Sequence, residues 1–508
     1  MSSKRRLRLA ALIAVGISLI AVSVPVQASH NADKHRKMDL LSTSPNSRIN
    51  TDLAFWGDHA FMGYYRNDLH VGGFRIFDIS NPAQSRQLRN FPCDGAQNDP
   101  ILWDRNGNGV ADLLLLAVDR TMAGPQCGAA RAAHDDPTGW EGVRVFTMSD
   151  DPADPFATIE QVSAVYTDCG AHTITAWPDL NADRLVVYVS SYPLRPGPTC
   201  GPVNGPAAGE SPLHEKISIV KVPLDNPAAS SVIAEPPISY PGDPDGIFDI
   251  EERGLSAPGV LNDLIGCHDI SVDLKLHLAA AACAEQGQLW SVDANGIPDT
   301  ANPIWVSDDK ISSGGTGDIP GAIDFFHSAT FSNDGSVVNW IDESFGDGCP
   351  PETNWEERPW HPAGTFDTGR MFFADGATGS FLSEFMIPRP EPGAYCSAHM
   401  GLPIATSHKD LLVNAWYMGG VNVVDFKDPT KPKEVAYYDI APDGATGSDN
   451  WSAYSYVGPN FRTGRGIPVY ASDGVHSPDT AKGLLVFRTN VGRFGKRALD
   501  HLNPQTQE

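Results

Sequence analysis

Four histidines occupy the same place in a recurring pattern, each just before a short apolar stretch. They are His172 before Thr-Ile-Thr-Ala-Trp, His268 before Asp-Ile-Ser-Val, His327 before Ser-Ala-Thr-Phe and His399 before Met-Gly-Leu-Pro. The corresponding places in the other repeats hold Asp52, Asp99 and Trp451. Neutral imidazole is a ligand for Fe, Cu, Mn and Zn, and a carboxylate serves either as ligand or as acceptor for the imidazole N–H. The pattern therefore predicts a transition-metal centre of four histidines, with Asp52 and Asp99 as further ligands or as acceptors behind them.

Such a centre is compatible with more than one function. A metal held by four histidines keeps one or two positions open for water, dioxygen or substrate, which allows redox or Lewis-acid chemistry. We therefore expect either a metal-dependent oxidase or oxygenase, or a non-catalytic binding protein in which the histidines are structural. A polar pocket without metal also fits. Asp269, next to His268, and Asp52 and Asp99 across the ring are acids that could act as a base or orient a ligand. Asp269 is the weaker candidate, since a residue adjacent on a strand points to the opposite face, and no catalytic residue is assigned.

A second metal-binding pattern runs from Asp104 to Asp112. Oxygen-bearing residues at alternating positions, with a glycine at the sixth, resemble a calcium loop. The expected donors are Asp104, Asn106, Asn108, the Val110 carbonyl and Asp112. The bidentate Glu of an EF-hand is missing, since position twelve is Leu115, and Asn-Gly between two strands is also an ordinary hairpin turn. Calcium binding, with no catalytic part, and a plain turn both fit this segment.

The elements that carry the histidines repeat along the chain. A strand pattern rich in Val, Ile and Phe, often followed by Asn-Pro or Asp-Pro, occurs seven times, at 73–82, 142–152, 217–227, 288–293, 370–375, 420–429 and 483–488. Another strand pattern precedes each copy, and a further one follows most copies. Together with the histidine-bearing strand this gives four strands per unit. The repeats predict an all-β fold, a seven-bladed β-propeller whose innermost strands line a central channel.

The two ends of the repeat region complement each other. The last unit has no fourth strand after Arg488, whereas Met38–Ser44 is a strand pattern without a unit of its own. We expect this N-terminal strand to join the last blade and close the ring, which removes both open edges. The predicted organisation is a signal peptide over 1–28, a linker over 29–37, the propeller over 38–494 and a flexible tail over 495–508.

The repeats resemble those of the LVIVD-repeat proteins, a largely uncharacterised group of exported bacterial proteins. The resemblance spans Met38–Asn490 and rests on 73–82, 420–429 and the phrases Gly-Cys-His-Asp-Ile-Ser-Val, Phe-His-Ser-Ala-Thr-Phe-Ser-Asn-Asp-Gly and Asn-Ala-Trp-Tyr-Met-Gly-Gly. It implies the propeller fold but no reaction. Four imidazoles around a propeller axis are also similar to the iron centre of carotenoid-cleaving oxygenases, and a copper-bearing propeller to the methanethiol oxidases. Both are likenesses of architecture, which do not fix a reaction.

The N-terminus has the features of a secretory signal. Basic residues at Lys4–Arg8 precede an apolar stretch over Leu9–Val24, and Val-Gln-Ala ends at Ala28. Cleavage there predicts a periplasmic or extracellular protein without a membrane span, exported by either the general or the twin-arginine route.

The eight cysteines fit an oxidising compartment. We expect neighbours in sequence to pair, although eight cysteines allow 105 pairings. The expected disulfides are Cys93–Cys127, Cys169–Cys200, Cys267–Cys283 and Cys349–Cys396.

Composition and charge narrow the classes of partner. With 48 Gly, 41 Pro and only 19% charged residues among 508, the chain does not resemble a coiled coil or a disordered protein. A net charge of −25 disfavours nucleic acid and anionic membranes as partners. The chain has no Walker loop, dinucleotide fingerprint or Gly-x-Ser-x-Gly motif, so we expect no nucleotide cofactor. The expected partner is a small molecule or a protein, bound by a monomer.

Overall fold

The computed structural model describes most of the chain between residues 32 and 491. The described ranges are 32–67, 69–134, 136–193, 197–200, 214–239, 266–284, 286–307, 325–343, 369–389, 394–404, 406, 410–441, 447–459, 466–476, 479 and 481–491. Regular structure in these ranges consists of β-strands, apart from 3-10 turns at Pro82–Gln84 and Pro227–Ala229. The predicted signal peptide and C-terminal tail lie outside the described residues.

Five of the sheets have four antiparallel strands, each strand lying beside the next one in sequence. The first comprises β3 (Asn50–Trp56), β4 (His59–Tyr64), β5 (Gly73–Asp78) and β6 (Arg86–Pro92). The second comprises β7 (Pro100–Trp103), β8 (Leu113–Met122), β9 (Trp140–Met148) and β10 (Ile159–Tyr166). The third comprises β11 (Thr173–Asp179), β12 (Arg184–Ser190), β13 (Ser218–Pro223) and β14 (Ser231–Ala234). The fourth comprises β15 (Asp269–Asp273), β16 (Leu278–Cys283), β17 (Gln286–Ser291) and β18 (Trp305–Ser307). The fifth comprises β19 (Phe326–Phe331), β20 (Val337–Asp342), β21 (Met371–Asp375) and β22 (Phe381–Phe385).

The remaining strands form one nine-stranded sheet made of two antiparallel runs. One run comprises β1 (Lys34–Arg36), β23 (Gly401–Pro403), β24 (Leu411–Ala415), β25 (Val421–Asp425) and β26 (Lys433–Asp439). The other comprises β2 (Met38–Ser44), β27 (Asn450–Ser455), β28 (Pro468–Asp473) and β29 (Leu484–Thr489). A parallel pairing of Gly401 with Ala453 joins the two runs. Strand β2 pairs with β29 as expected, so the N-terminal strand supplies the fourth strand of the last run.

The sheets are arranged in a closed, propeller-like ring. The first strands contact one another in the order β3, β7, β11, β15, β19, β23 and β27, and β27 contacts β3. A hydrophobic cluster fills the space between each neighbouring pair of sheets or runs. Where the last run meets the first sheet, Phe55 stacks on Tyr456 with ring centroids 4.9 Å apart. The all-β prediction is therefore confirmed, and apolar burial between sheets stabilises the ring.

The predicted linker over 29–37 is wrong in part. Its residues Lys34–Arg36 form β1, which pairs with β26 through Lys34 and Asp439. Asp33 accepts hydrogen bonds from the Tyr438 hydroxyl, at 2.6 Å, and from the Ala441 N–H, at 2.8 Å. An outermost strand exposes unpaired backbone groups, and β1 supplies partners for those of β26.

Three of the expected cysteine pairs are disulfide-bonded in the structure. They are Cys93–Cys127, Cys169–Cys200 and Cys267–Cys283. Of the fourth pair, Cys396 is disulfide-bonded, and Cys349 lies outside the described residues. Among the described residues, no helix is long and apolar enough to span a membrane.

Candidate metal centre

The structure brings the four predicted histidines together at the start of consecutive inner strands. His172 precedes β11, His268 precedes β15, His327 lies in β19 and His399 precedes β23. Neighbouring imidazole centroids are 4.4 Å apart for His172 and His268, 3.9 Å for His268 and His327, and 4.0 Å for His327 and His399. All four side chains are buried.

A repeated hydrogen bond fixes the orientation of three of these rings. The Nδ1 atom of His268 lies 2.8 Å from the His327 carbonyl, that of His327 lies 3.0 Å from the His399 carbonyl, and that of His399 lies 2.6 Å from the Trp451 carbonyl. A carbonyl can only accept, so each Nδ1 carries the proton and donates it. In a neutral ring the lone pair then lies on Nε2, the atom that can bind a metal. The Nε2 of His399 is buried without a hydrogen-bond partner among the described residues.

The fourth ring, His172, is held by a carboxylate that the sequence reasoning missed. Its Nδ1 lies 2.5 Å from Oδ2 of Asp119, a buried residue of β8. The other oxygen, Oδ1, accepts the Gln97 N–H at 3.2 Å. Carboxylate–histidine pairs of this kind orient metal-binding rings. The only signal in the sequence is an acidic residue, Asp119, directly after the apolar run Leu113–Val118.

A second missed carboxylate, Glu343, lies beside two of the histidines. Its oxygens are 3.8 Å from Nε2 of His327 and 3.9 Å from Nε2 of His399. One ligand atom from each of the three residues lies within 4.8 Å of the other two. Two donors about 2.1 Å from one ion lie about 3.0 Å apart at a right angle and about 4.2 Å apart in line, so one ion can contact Glu343 and either ring. The Tyr417 hydroxyl donates a hydrogen bond to Glu343 and holds it in place.

Burial controls the charge of the histidines and of Glu343. It lowers the pKa of His268 and His327 well below the usual range and that of His399 to about 3. It also raises the pKa of Glu343 to about 7. Desolvation disfavours the charged form of each side chain, which explains both directions. At neutral pH the three imidazoles are therefore neutral, and a metal need not displace a proton from them.

The other two predicted ligands, Asp52 and Asp99, are not placed at the histidine position. The Ser328 hydroxyl donates to the His399 carbonyl, and the Ser452 hydroxyl to the Thr51 carbonyl, so Thr51 corresponds to the histidines. Asp52 follows it and accepts from Gln97 Nε2 at 2.5 Å and from the Tyr454 hydroxyl at 3.0 Å. A register irregularity lies between Asn50 and Leu53, as it does around His327.

Asp99 and Asp269 each accept a hydrogen bond from the backbone of the next sheet. Asp99 accepts the Ile174 N–H of the next sheet at 2.8 Å, and Asp269 accepts the Ala329 N–H of its next sheet at 3.4 Å. Asp99 therefore corresponds to Asp269, one residue beyond the histidine position. Burial raises the pKa of Asp269 to about 7. Both carboxylates link neighbouring sheets through the backbone.

Aromatic side chains surround the histidines. Ring centroids lie 4.6 Å from His172 for Tyr192, 5.5 Å from His268 for Phe325, and 4.7 and 4.6 Å from His399 for Tyr417 and Trp451. Aromatic faces contact apolar and aromatic molecules favourably. The surroundings of the centre are therefore rich in aromatic side chains.

The loop with the calcium pattern is held by its own hydrogen bonds. Asp104 accepts the backbone N–H groups of Gly107 at 2.7 Å, Asn108 at 3.3 Å and Gly109 at 2.6 Å. Asp112 pairs with Arg105 at 3.0 Å. The side-chain oxygens of Asn106 and Asn108 accept backbone N–H groups two residues further on. Calcium binding by these donors stays a prediction, and Asp112 would be shared with Arg105.

The chain matches no protein-family model and no curated protein sequence. Solved structures resemble it at low identity. A Bacteroides uniformis protein assigned as a 6-phosphogluconolactonase is 12% identical, with a TM-score of 0.46 over 89% of this chain and 98% of that one. Raptor from Chaetomium thermophilum is 10% identical, with a TM-score of 0.47 over 91% of this chain and 29% of Raptor. The Dos1 propeller is 10% identical, with a TM-score of 0.45 over 92% and 99% of the two chains. These values are too low to transfer an activity.

Proposed function

We propose that this chain is an exported, seven-bladed β-propeller that holds a transition-metal ion at its axis and acts as an oxidase or oxygenase. The observation that carries the proposal is the set of two buried imidazoles, His327 and His399, and the half-buried Glu343, each of which has a ligand atom within 4.8 Å of the other two. His268 and His172 extend the same row of imidazoles beside these three donors.

The donor set favours iron among the metals that the sequence allows. Two histidines and one carboxylate, with open positions, are the ligands of non-haem Fe(II) oxygenases. Bound iron would supply the activation of dioxygen. The chain's own residues have other tasks: the interblade carbonyls orient the rings, Tyr417 orients Glu343, and the aromatic side chains around the site bind an apolar substrate and exclude water.

Strand pairing and the disulfides support the remaining parts of the proposal. Five four-stranded sheets, together with the two runs of the nine-stranded sheet, support a count of seven blades. Three disulfides are expected of a protein from an oxidising compartment, which agrees with export by the predicted signal peptide. Membership of the LVIVD-repeat group is part of the same proposal.

Metal analysis of matched variants tests the proposal. In a His327→Asn/His399→Asn double variant, the Asn amide can replace Nδ1–H as donor to the carbonyl, but no atom replaces Nε2. The matched control is His277→Asn, which removes an exposed imidazole elsewhere. We expect about one equivalent of metal in the natively exported protein and in the control, and a loss in the double variant with the fold intact.

Dioxygen uptake by the metal-loaded protein, with neutral aromatic compounds as candidate substrates, tests the reaction class. Metal absent from the native protein, or retained in the double variant, would refute the centre. That result would favour a secreted binding propeller with a structural channel.

A further inference from the structure

A second group of metal-binding side chains lies outside the histidine centre, beside the third sheet. The sulfurs of Cys169 and Cys200 and a ring nitrogen of His214 lie within 4.8 Å of one another. All three residues are buried, with 2–3% of their surface exposed. A disulfide needs no imidazole beside it, so this placement of a buried histidine points to a further use of the sulfurs.

We propose that Cys169, Cys200 and His214 bind a thiophilic metal ion, Zn²⁺ or Cu⁺, when the disulfide is reduced. Two thiolates and an imidazole are donors that these ions prefer. A dithiol reductant, either a small molecule or a thiol–disulfide oxidoreductase, supplies two electrons, the S–S bond breaks, and the reductant becomes a disulfide. The metal then displaces the two thiol protons and forms two bonds to sulfur and one to nitrogen.

The imidazole is oriented in the way that metal-binding histidines usually are. Nδ1 of His214 lies 2.7 Å from the Ser191 hydroxyl oxygen, which can accept its proton. The hydrogen bond limits rotation of the ring, and when the hydroxyl accepts, Nε2 is left as the atom that can bind a metal. Gly266 packs closely against the same side chain, because a Cβ at that glycine would lie 2.9 Å from the His214 Cβ.

Backbone contacts hold the two cysteines near each other without help from the disulfide. The Cys169 N–H donates to the Thr199 hydroxyl at 2.9 Å. Gly197 and Cys200 exchange backbone hydrogen bonds of 2.9 and 3.3 Å, which closes the segment that carries Cys200. We therefore expect the sulfurs to stay within reach of one ion after reduction.

The Cys93–Cys127 disulfide offers a matched control. Its neighbour is a cation, since Arg144 Nη1 lies 3.1 Å from the Cys93 sulfur. A guanidinium repels a metal ion, so this pair is not expected to bind one.

The test is a Zn²⁺ titration of the metal-free protein against a competing chromophoric chelator. Two samples are compared, one with the disulfides intact and one in which a phosphine has reduced them in the absence of air. Zn²⁺ is chosen because it has no redox chemistry of its own and cannot reoxidise the thiols. We expect reduction to add one equivalent of bound Zn²⁺ in the wild type and in Cys93→Ser/Cys127→Ser. The added equivalent should disappear in Cys169→Ser/Cys200→Ser. In His214→Asn, which keeps a donor toward Ser191, the affinity of the reduced protein for the added Zn²⁺ should fall at least about tenfold.

Alkylation gives a readout that needs no variant. Zn²⁺ should slow the alkylation of Cys169 and Cys200 in the reduced wild type, but not that of Cys93 and Cys127, as followed by mass spectrometry. The site is refuted if reduction adds no Zn²⁺, if the added ion survives loss of both cysteines, or if all four thiols are protected equally. Because the titration compares two redox states of one protein, its result is independent of whether the histidine centre binds metal.

Discussion

Replacing His399 by Asn should make the metal-free protein more resistant to acid. The wild-type imidazole is buried, and its pKa is about 3 in the folded protein, whereas a histidine in an unfolded chain titrates near 6.5. Between these two values the unfolded chain binds more protons, so the free energy of unfolding falls as the pH falls below 6.5. Asn does not titrate, and the variant lacks this loss.

The size of the effect follows from the two pKa values. Each pH unit below 6.5 removes about 1.4 kcal/mol from the free energy of unfolding until the folded-state pKa is approached. At pH 4.5 the loss due to His399 is about 2.7 kcal/mol, whereas at pH 7.5 it is close to zero. His399→Asn should therefore gain about 2.7 kcal/mol relative to wild type on acidification from pH 7.5 to 4.5. At pH 7.5 the two proteins should differ by no more than about 1.5 kcal/mol, since Asn keeps a donor toward the Trp451 carbonyl.

Urea unfolding at the two pH values, with a chelator present and tryptophan fluorescence as the signal, measures this difference. The His277→Asn variant, which removes an exposed imidazole, is the control for the loss of a histidine. Equal acid sensitivity of wild type and His399→Asn would refute the conclusion that His399 is a buried, neutral imidazole.

Three further predictions concern other contacts. Tyr417→Phe should weaken metal binding about tenfold or more in chelator competition, because Glu343 loses the hydroxyl that orients it. The control, Tyr456→Phe, removes a hydroxyl that donates to the Gly57 carbonyl and should leave the affinity unchanged. Equal affinities of wild type and Tyr417→Phe would show that the hydroxyl does not position Glu343. Trp340→Ala should lower the free energy of unfolding in urea by about 3–5 kcal/mol, since the side chain is buried between two sheets, and an unchanged value would contradict that packing. Asp104→Ala should destabilise the chelator-treated protein by about 1–3 kcal/mol in thermal unfolding, because three backbone N–H groups lose their acceptor; a loss seen only with calcium present would instead indicate an ion-dependent loop.

The strand arrangement was predictable because the repeats carry it locally. Alternating apolar residues in 73–82 and 420–429 place β5 and β25 in the third position of their sheets, and the unmatched pattern over Met38–Ser44 predicts the pairing of β2 with β29. The histidines were predictable for the same reason, since each lies at one register position of a repeated strand.

The remaining parts of the site depend on contacts that the repeat does not encode. Asp119 lies in the second strand of its sheet and Glu343 directly follows another second strand, and only strand pairing brings them beside the histidines. Asp52 was misaligned by one residue because the sequence does not show which residue of Asn50–Leu53 lies at the register position of the histidines. Strand β1 was missed because its partner, Asp439, is some four hundred residues away in the chain.

Anomalous diffraction from crystals of the natively exported protein, collected at the absorption edges of iron, copper, manganese and zinc, tests the metal centre most directly. We expect one peak on the propeller axis, about 2.0–2.2 Å from Nε2 of His327, Nε2 of His399 and an oxygen of Glu343. A native protein with no anomalous peak at these atoms, or with its metal bound elsewhere, would contradict the proposed centre.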